Sequence, residues 1–367
     1  MTGNRLAGAD FVRAIACLMV LAHHLIQRLA PYAVDSDIRP AFQFGIFGSF
    51  GVAAFFVLSG YLLARPFWAA YDIGQPMPSL RTYALRRAAR ILPGYWLALT
   101  VTFILSFTLF GVYLEPSLVT RYLMGFFLVS DFHYTSFFPV EFNGPLWSIA
   151  LEVTSYVLLP IGLALLFLLR PLARPGWGGR AVWLAVIGAA LGAHYLIMAY
   201  WPVSNEFRGW NFGLVGGAKE WMPRFNPIGF FTIFCIGALA AGIQVRWSRS
   251  RSWLFDVLAV AGFAVSVWSI LDFMPRGTTE GWGLYDIPYG FPAFPLGVAL
   301  ALAATPSSRL AGWLLDNPPT RYVARISFGI YVWHYLVIEI IRQNWYPRFY
   351  YAGVESFTDW LIPSAPP

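Results

Sequence analysis

Ionisable side chains interrupt the first apolar stretch of the chain. Residues 10–28 read DFVRAIACLMVLAHHLIQR and otherwise suit a membrane span. On a helix, Asp10, Arg13 and His24 fall within about 60° of one another. His23 lies roughly 80° or more away from Arg13 and His24. The spacing therefore selects His24 for a polar face and favours a packed or interfacial role for His23.

Arg13 and His24 suggest two different chemistries at two depths. Ionisable residues in a span cost a few kcal/mol, so they normally face the bundle interior or a water-filled cavity. About 16 Å of helix separates these two residues. A guanidinium suits phosphate, whereas a neutral imidazole can accept a proton. Arg13 is thus a candidate phosphate ligand and His24 a candidate base; the alternative for Arg13 is a surface anchor paired with Asp10.

A second polar stripe begins in the segment NGPLWSIALEVTSYVLLP. Ser148, Glu152, Ser155 and Tyr156 recur at helical spacing. We expect Glu152 to lie close in depth to His24, where a carboxylate can hold the imidazole tautomer and stabilise the imidazolium. The alternative is a structural partner for an arginine elsewhere in the bundle.

The last apolar stretch, ISFGIYVWHYLVIEI, places a third stripe on one helix face. It contains Ser327, Tyr331, His334 and Tyr335, with His334 near the middle of the membrane. His334 either positions a substrate or cofactor or is a hydrogen-bonded structural histidine. Histidines at H-x-x-x-H spacing are absent and both cysteines are isolated in apolar runs, so neither a metal site nor a disulfide is predicted.

The run RRAARILPGY, residues 86–95, clusters basic side chains just before an apolar stretch. Arg86, Arg87 and Arg90 match the oxygens of a phosphorylated cofactor, because guanidinium forks bind phosphate well. Contact with anionic lipid headgroups is the simpler reading of the cluster taken alone.

The elements that must position these residues are membrane helices. The chain has 367 residues, 58% hydrophobic and 12% charged, with a mean hydropathy of +0.59. Its apolar runs are long enough to cross the roughly 30 Å hydrocarbon layer, so we predict an all-α, polytopic bundle of about nine to ten spans. The candidate spans cover residues 11–29, 45–64, 91–111, 145–169, 181–201, 227–244, 253–273, 288–305 and 325–342.

The distribution of charge predicts the orientation of this bundle. A net charge of +7 could suggest a nucleic-acid partner, but the 25 basic residues are dispersed between apolar spans. Most of them fall on the side of the N-terminus, which is therefore expected in the cytoplasm. A full crossing at 118–130 would place every later arginine-rich connector outside the cell. That segment is therefore predicted to be re-entrant or interfacial.

The rest of the chain is divided accordingly. Residues 1–345 are expected to form one transmembrane domain and residues 346–367 a C-terminal tail. The external loops 202–226 and 274–287 are expected to determine the specificity for an acceptor, through their Trp, Glu and Arg content.

Taken in order, the motifs resemble one known family, the integral-membrane acyltransferases of the acyltransferase-3 type. The resemblance covers most of the chain. It rests on Arg13 with ten residues before His24, followed by four segments. These are GVAAFFVLSGYL at 51–62, RRAARILPGY at 86–95, WSIALEVTSYVLLP at 147–160 and ISFGIYVWHY at 326–335.

The resemblance implies an enzyme of the cytoplasmic (inner) membrane that moves an acyl group, usually acetyl, from acyl-coenzyme A to a hydroxyl. The implied acceptor is a sugar, polysaccharide or glycolipid. His24 would be the catalytic base and Glu152 would support it, whereas Arg13 and the arginines of 86–95 would bind the coenzyme. Ser148, Tyr331, His334 and Asp10 would support the substrate or the site. A transporter or flippase of lipid-linked or acylated sugars is the alternative, because intramembrane charges also mark transport pathways.

Two departures from the family pattern are visible. The family's Gly-Val-Asp in the second motif is Gly51-Val52-Ala53 here, so any role of that aspartate is lost or taken over by another residue. Many relatives carry a fused extracytoplasmic hydrolase-like domain, whereas this chain is expected to have none and to act alone or with a separate partner.

Overall fold

The computed structural model describes residues 6–27, 44–172, 176–248, 250–274, 284 and 286–344, and this part of the chain is helical without any β-strand. The α-helices are α1 (Ala9–Ile26), α2 (Gly51–Asp72), α3 (Leu80–Thr108), α4 (Pro116–Phe126), α5 (Trp147–Leu168), α6 (Trp177–Tyr200), α7 (Gly213–Trp221), α8 (Pro227–Trp247), α9 (Trp253–Phe273), α10 (Ala293–Ala304), α11 (Ala311–Leu315) and α12 (Pro318–Asn344). The prediction of an all-α bundle is confirmed.

Eight helical segments of the described part are long and apolar enough to cross a membrane. They include α1, α3 and α12, and α2 together with the turn before it. The span expected at 288–305 corresponds to a shorter apolar helix, Ala293–Ser307. The polytopic architecture is therefore confirmed, whereas the number of crossings and the cytoplasmic N-terminus stay predictions.

Two helices continue past the membrane spans predicted for them. α3 begins at Leu80, not at 91, and the Ser79 hydroxyl caps it by accepting the Thr82 N–H at 3.3 Å. α2 continues to Asp72, and Arg65 within it donates from Nε to Gln244 Oε1 at 2.8 Å. The basic run 86–90 is therefore helical, and the helix fixes the directions in which its side chains point.

The segment expected not to cross, 118–130, contains the short helix α4. Its 11 residues extend about 16 Å, roughly half of the hydrocarbon thickness. Arg121 is buried on α4, and it donates to the Phe138 carbonyl at 2.8 Å and pairs with Glu141. A re-entrant or interfacial position stays a prediction. The tail 346–367 and most of the loop 274–287 lie outside the described residues.

Helices α2 and α8 form the centre of the bundle, where their backbones approach closely. A Cβ at Gly60 would overlap the backbone of Phe234, and a Cβ at Gly237 would overlap the backbone of Val57. Small residues allow such contacts, and in a bilayer close packing replaces the hydrophobic effect as the force between helices. α1, α5 and α10 pack around this pair.

Successive long helices run in opposite directions between two ends of the bundle. At the end where α1 begins, here called the N-terminal face, Gly8 packs against Thr305 and Arg180 pairs with Asp72. At the opposite face, Phe50 before α2 contacts Phe273 at the end of α9 and Phe294 at the start of α10. His24, near the end of α1, therefore lies towards the opposite face.

Candidate active site

Two histidines meet where α1 packs along α12. Nε2 of His334 lies 3.0 Å from Nδ1 of His24, and the ring centroids are 5.0 Å apart. Tyr335 packs its ring edge-on against His24 at 5.0 Å. The sequence indicated each histidine separately, but their contact joins residues 310 positions apart.

Backbone carbonyls determine which ring nitrogen carries the proton. Nδ1 of His334 lies 3.0 Å from the Ile330 oxygen and 2.9 Å from the Tyr331 oxygen. A carbonyl can only accept, so this Nδ1 is protonated and Nε2 of His334 has the lone pair. Nδ1 of His24 lies 2.9 Å from the Val20 oxygen and therefore also donates. The proton-accepting nitrogen of His24 is consequently Nε2, as a general base requires.

His23 lies at the same cavity but both of its ring nitrogens serve the structure. Its Nδ1 donates to the Ile46 carbonyl, and its Nε2 lies 3.0 Å from the Gln27 amide nitrogen, which donates. Its ring centroid is 4.8 Å from that of His24. The two histidine side chains converge, so the angle between them on the helix overstated their separation. The hydrogen bonds of His23 to Ile46 and Gln27 agree with the expectation of a packed residue.

A cavity of about 330 Å³, the histidine cavity, opens beside these rings towards the opposite face. Aromatic side chains form much of its wall, together with the guanidinium-bearing Arg224. The aromatic lining comprises Phe47, Phe50, Trp147, Trp210, Trp221, Phe225, Phe273, Tyr289 and Tyr331. Cavities of this size and character hold ligands of drug-like size. The predicted specificity loop 202–226 supplies Trp210, Trp221, Arg224 and Phe225 to this wall.

A smaller cavity of about 70 Å³, the arginine cavity, lies on the N-terminal side. Arg13, Arg87 and Arg90 line it together with Glu152. Arg13 bonds to Asp10 at 3.4 Å, whereas Arg87 and Arg90 have no hydrogen-bond or ion-pair partner among the described residues. Unpaired guanidiniums attract anions such as phosphate. The volume accommodates a few water molecules, so a larger ligand requires the side chains to move.

Arg86 does not join this group. It is exposed on α3 and does not line the arginine cavity, although Arg87 and Arg90 do. Successive residues of a helix point about 100° apart, so the side chains of one basic run face different directions. Arg87 and Arg90 face the cavity, and Arg86 faces the surface.

Glu152 lies in the arginine cavity, not beside the histidines. Ser59 Oγ donates to its Oε1 at 3.0 Å, and the Tyr156 hydroxyl donates to the same oxygen. The expected proximity to His24 is therefore not found: Trp147 lines the histidine cavity, and Glu152 lies more than one helical turn deeper on α5. The side chain that lies within hydrogen-bonding distance of His24 Nδ1 is His334.

Tyr331 and Val52 line both cavities and separate them. The Tyr331 hydroxyl lies 2.5 Å from Ser148 Oγ and donates to the Pro145 carbonyl at 3.2 Å. Next to Val52, Ala53 is fully buried, so the position of the family's aspartate faces the packed core. The two polar stripes predicted from α5 and α12 thus meet at Ser148 and Tyr331.

The described residues thus form an all-helical membrane bundle with a partly buried histidine pair and an arginine-lined cavity. Residues 6–362 match the profile of the family described as "Acyltransferase domain", Acyl_transf_3. The chain therefore belongs to the acyltransferase-3 family, as its motifs had indicated. No solved structure matches it.

Several curated proteins are similar to this chain along nearly its whole length. The peptidoglycan O-acetyltransferase OatA of Listeria monocytogenes is 25% identical over 352 residues, which are 90% of this chain and 49% of that protein. The O-acetyltransferase OatA of Staphylococcus aureus is 25% identical over 92% of this chain and 51% of its own length. The putative peptidoglycan O-acetyltransferase YrhL of Bacillus subtilis is 28% identical over 91% of this chain and 48% of its own length. The chain thus spans about half the length of these relatives.

Proposed function

We propose that the chain is a membrane O-acyltransferase that moves an acyl group, in the first instance acetyl, from acyl-coenzyme A to a hydroxyl of a carbohydrate acceptor. The observation that carries the proposal is the His24–His334 pair, which leaves Nε2 of His24 as the proton acceptor beside an aromatic-lined cavity. The names of the relatives support the reaction and make peptidoglycan fragments the first acceptor to test.

The coenzyme and the acceptor approach from different faces. The excess of basic residues on the N-terminal side supports a cytoplasmic N-terminus in the inner membrane. Acyl-coenzyme A is made in the cytoplasm, which is the side of Arg13, Arg87 and Arg90. The coenzyme's phosphates would stay at these arginines, and its pantetheine arm would pass Tyr331 towards His24. Glu152 and Ser148 lie along that path and would contact the arm.

His24 provides general base catalysis in this scheme. Nε2 of His24 takes the proton of the acceptor hydroxyl as its oxygen forms a bond to the thioester carbonyl carbon. The carbon–sulfur bond then breaks, and the imidazolium returns the proton to the thiolate, which leaves as free coenzyme A. His334 accepts the His24 Nδ1–H throughout and holds the ring in this tautomer.

The test is acyl transfer from labelled acetyl-coenzyme A by the purified protein in lipid nanodiscs. General base catalysis contributes about 10²- to 10⁴-fold, so His24→Ala should lower turnover by this factor with an unchanged thermal unfolding midpoint. His23→Ala should have a much smaller effect, and His133→Ala, at an exposed loop, should have none.

Two results would contradict the proposal. A wild-type protein that binds acetyl-coenzyme A but neither hydrolyses it nor transfers the label would favour a transporter or a sensor. Near-normal transfer by His24→Ala would exclude His24 as the base.

A further inference from the structure

Another cavity, of about 390 Å³, lies at the N-terminal face. We call it the vestibule. Its walls come from the start of α1, from Leu62 on α2, and from the first turns of α12, and its charged lining consists of Asp10, Arg13, Arg321 and Arg325.

The vestibule adjoins the arginine cavity. Arg13 and Leu62 line both of them, so a ligand longer than either cavity can occupy the two together. The three cavities then follow one another along the bundle: the vestibule, the arginine cavity and, beyond Tyr331, the histidine cavity.

Arg325 is a cation without a counter-charge in this vestibule. It is exposed and has no hydrogen-bond or ion-pair partner among the residues that the structure describes. Arg321, one turn earlier on α12, is held by Asp316, with Nε 2.7 Å from Oδ1. Asp10 is the one carboxylate in the vestibule lining, and it already bonds to Arg13. The vestibule therefore has a net positive charge and favours a strongly anionic group.

Coenzyme A has its charges in a matching order. The thioester ends the pantetheine arm, the diphosphate follows, and the ribose carries a separate 3′-phosphate at the far end. With the thioester near His24 and the diphosphate at Arg87 and Arg90, the 3′-phosphate is the anionic group that reaches the vestibule.

We propose that Arg325, assisted by Arg321, binds the 3′-phosphate of the acyl-coenzyme A donor. The assignment rests on the proposed use of that donor. It makes the vestibule a specificity site that distinguishes coenzyme A from its 3′-dephospho form. Guanidinium and phosphate form charge-assisted hydrogen bonds, which are stronger than neutral ones.

The test compares the affinities of coenzyme A and 3′-dephospho-coenzyme A, measured by calorimetry on the purified protein in phosphatidylcholine nanodiscs. The wild type should bind coenzyme A about 10- to 100-fold more tightly, as expected for one or two hydrogen bonds between charged groups. Arg325→Gln should bring this ratio close to one by weakening coenzyme A alone. Arg81→Gln, at another exposed arginine near the start of α3, should leave the ratio unchanged.

The alternative ligand for Arg325 is an anionic lipid headgroup. Repeating the measurement with phosphatidylglycerol in the nanodisc separates the two phosphates. A ratio that stays high in Arg325→Gln, or a wild-type ratio near one, overturns the assignment and leaves the proposed reaction intact. If neither nucleotide binds the wild type, both the assignment and the proposed donor are wrong.

Discussion

The hydrogen bonds of two helical histidines determine which of their ring nitrogens can accept a proton. Each ring donates from Nδ1 to a carbonyl one turn earlier, to Val20 for His24 and to Ile330 for His334. Each carbonyl accepts the proton of the Nδ1 atom. The lone pair of each neutral ring is therefore on Nε2, which can act as an acceptor. The second acceptor faces the first ring, so a neutral imidazole takes the place that a carboxylate has in many catalytic dyads.

Replacing His334 tests this arrangement separately from substrate binding. His334→Leu removes one of the two acceptors of the His24 Nδ1–H, the other being the Val20 carbonyl, and should lower kcat about 10- to 100-fold with little change in KM. His334→Gln places a carbonyl oxygen near the former Nε2 and should restore part of the loss. Steady-state kinetics decide: a higher KM at constant kcat would mean that His334 binds a substrate instead.

The packing of α2 against α8 is the element on which the site depends. α2 supplies Val52 and Ser59 to the cavity walls, and its position is determined by the contacts at Gly60 and Gly237. The backbones approach too closely at these glycines for any side chain, so a larger residue at either position would force the two helices apart.

Alanine at Gly237 should disrupt this interface. The added methyl group would meet the Val57 carbonyl, a backbone atom that cannot rotate away, and overpacking of this kind costs typically 1–3 kcal/mol or more. Gly188→Ala on α6 is the matched control, because a Cβ there has nothing within 4 Å, and it should be neutral or stabilising. Thermal unfolding in detergent measures both; equal midpoints would show that the close approach is not rigid.

Features carried by a single helix were predictable from the sequence, whereas contacts between helices were not. The choice of His24 and the stripe containing Tyr331 needed only the helical period. The partner of His24 required the packing of α1 on α12. Glu152 lines the arginine cavity and not the histidine cavity, which the sequence did not reveal because depth along one helix does not show which cavity a side chain enters. Arg321 and Arg325 were not singled out for the same reason, since nothing in the sequence shows that these two arginines of α12 share a cavity with Asp10 and Arg13.

At the scale of the whole molecule, the cavities divide the bundle between its two faces. The vestibule and the arginine cavity are near the N-terminal face, and the histidine cavity is near the opposite face. The proposed reaction therefore has a direction, and this direction depends on which face is cytoplasmic.

Cysteine labelling on intact cells tests that orientation. Glu206→Cys, in the exposed segment after α6, should react with a membrane-impermeant maleimide, whereas Arg81→Cys, near the start of α3, should react only after permeabilisation. The native Cys17 and Cys235 are buried and free, so they should contribute little background. The reverse pattern would place the coenzyme site outside the cell and contradict the proposed reaction.

The contact between Tyr331 and Ser148 has a consequence beyond catalysis. Cavities enter this bundle from both of its faces, and a membrane bundle lies between two aqueous compartments. A continuous water column through it would conduct protons and dissipate the membrane potential. In this conformation Tyr331 and Val52 stand between the hollows, with the tyrosine held at Ser148 and Pro145. The same side chains that border both cavities therefore interrupt a water path between them in this conformation.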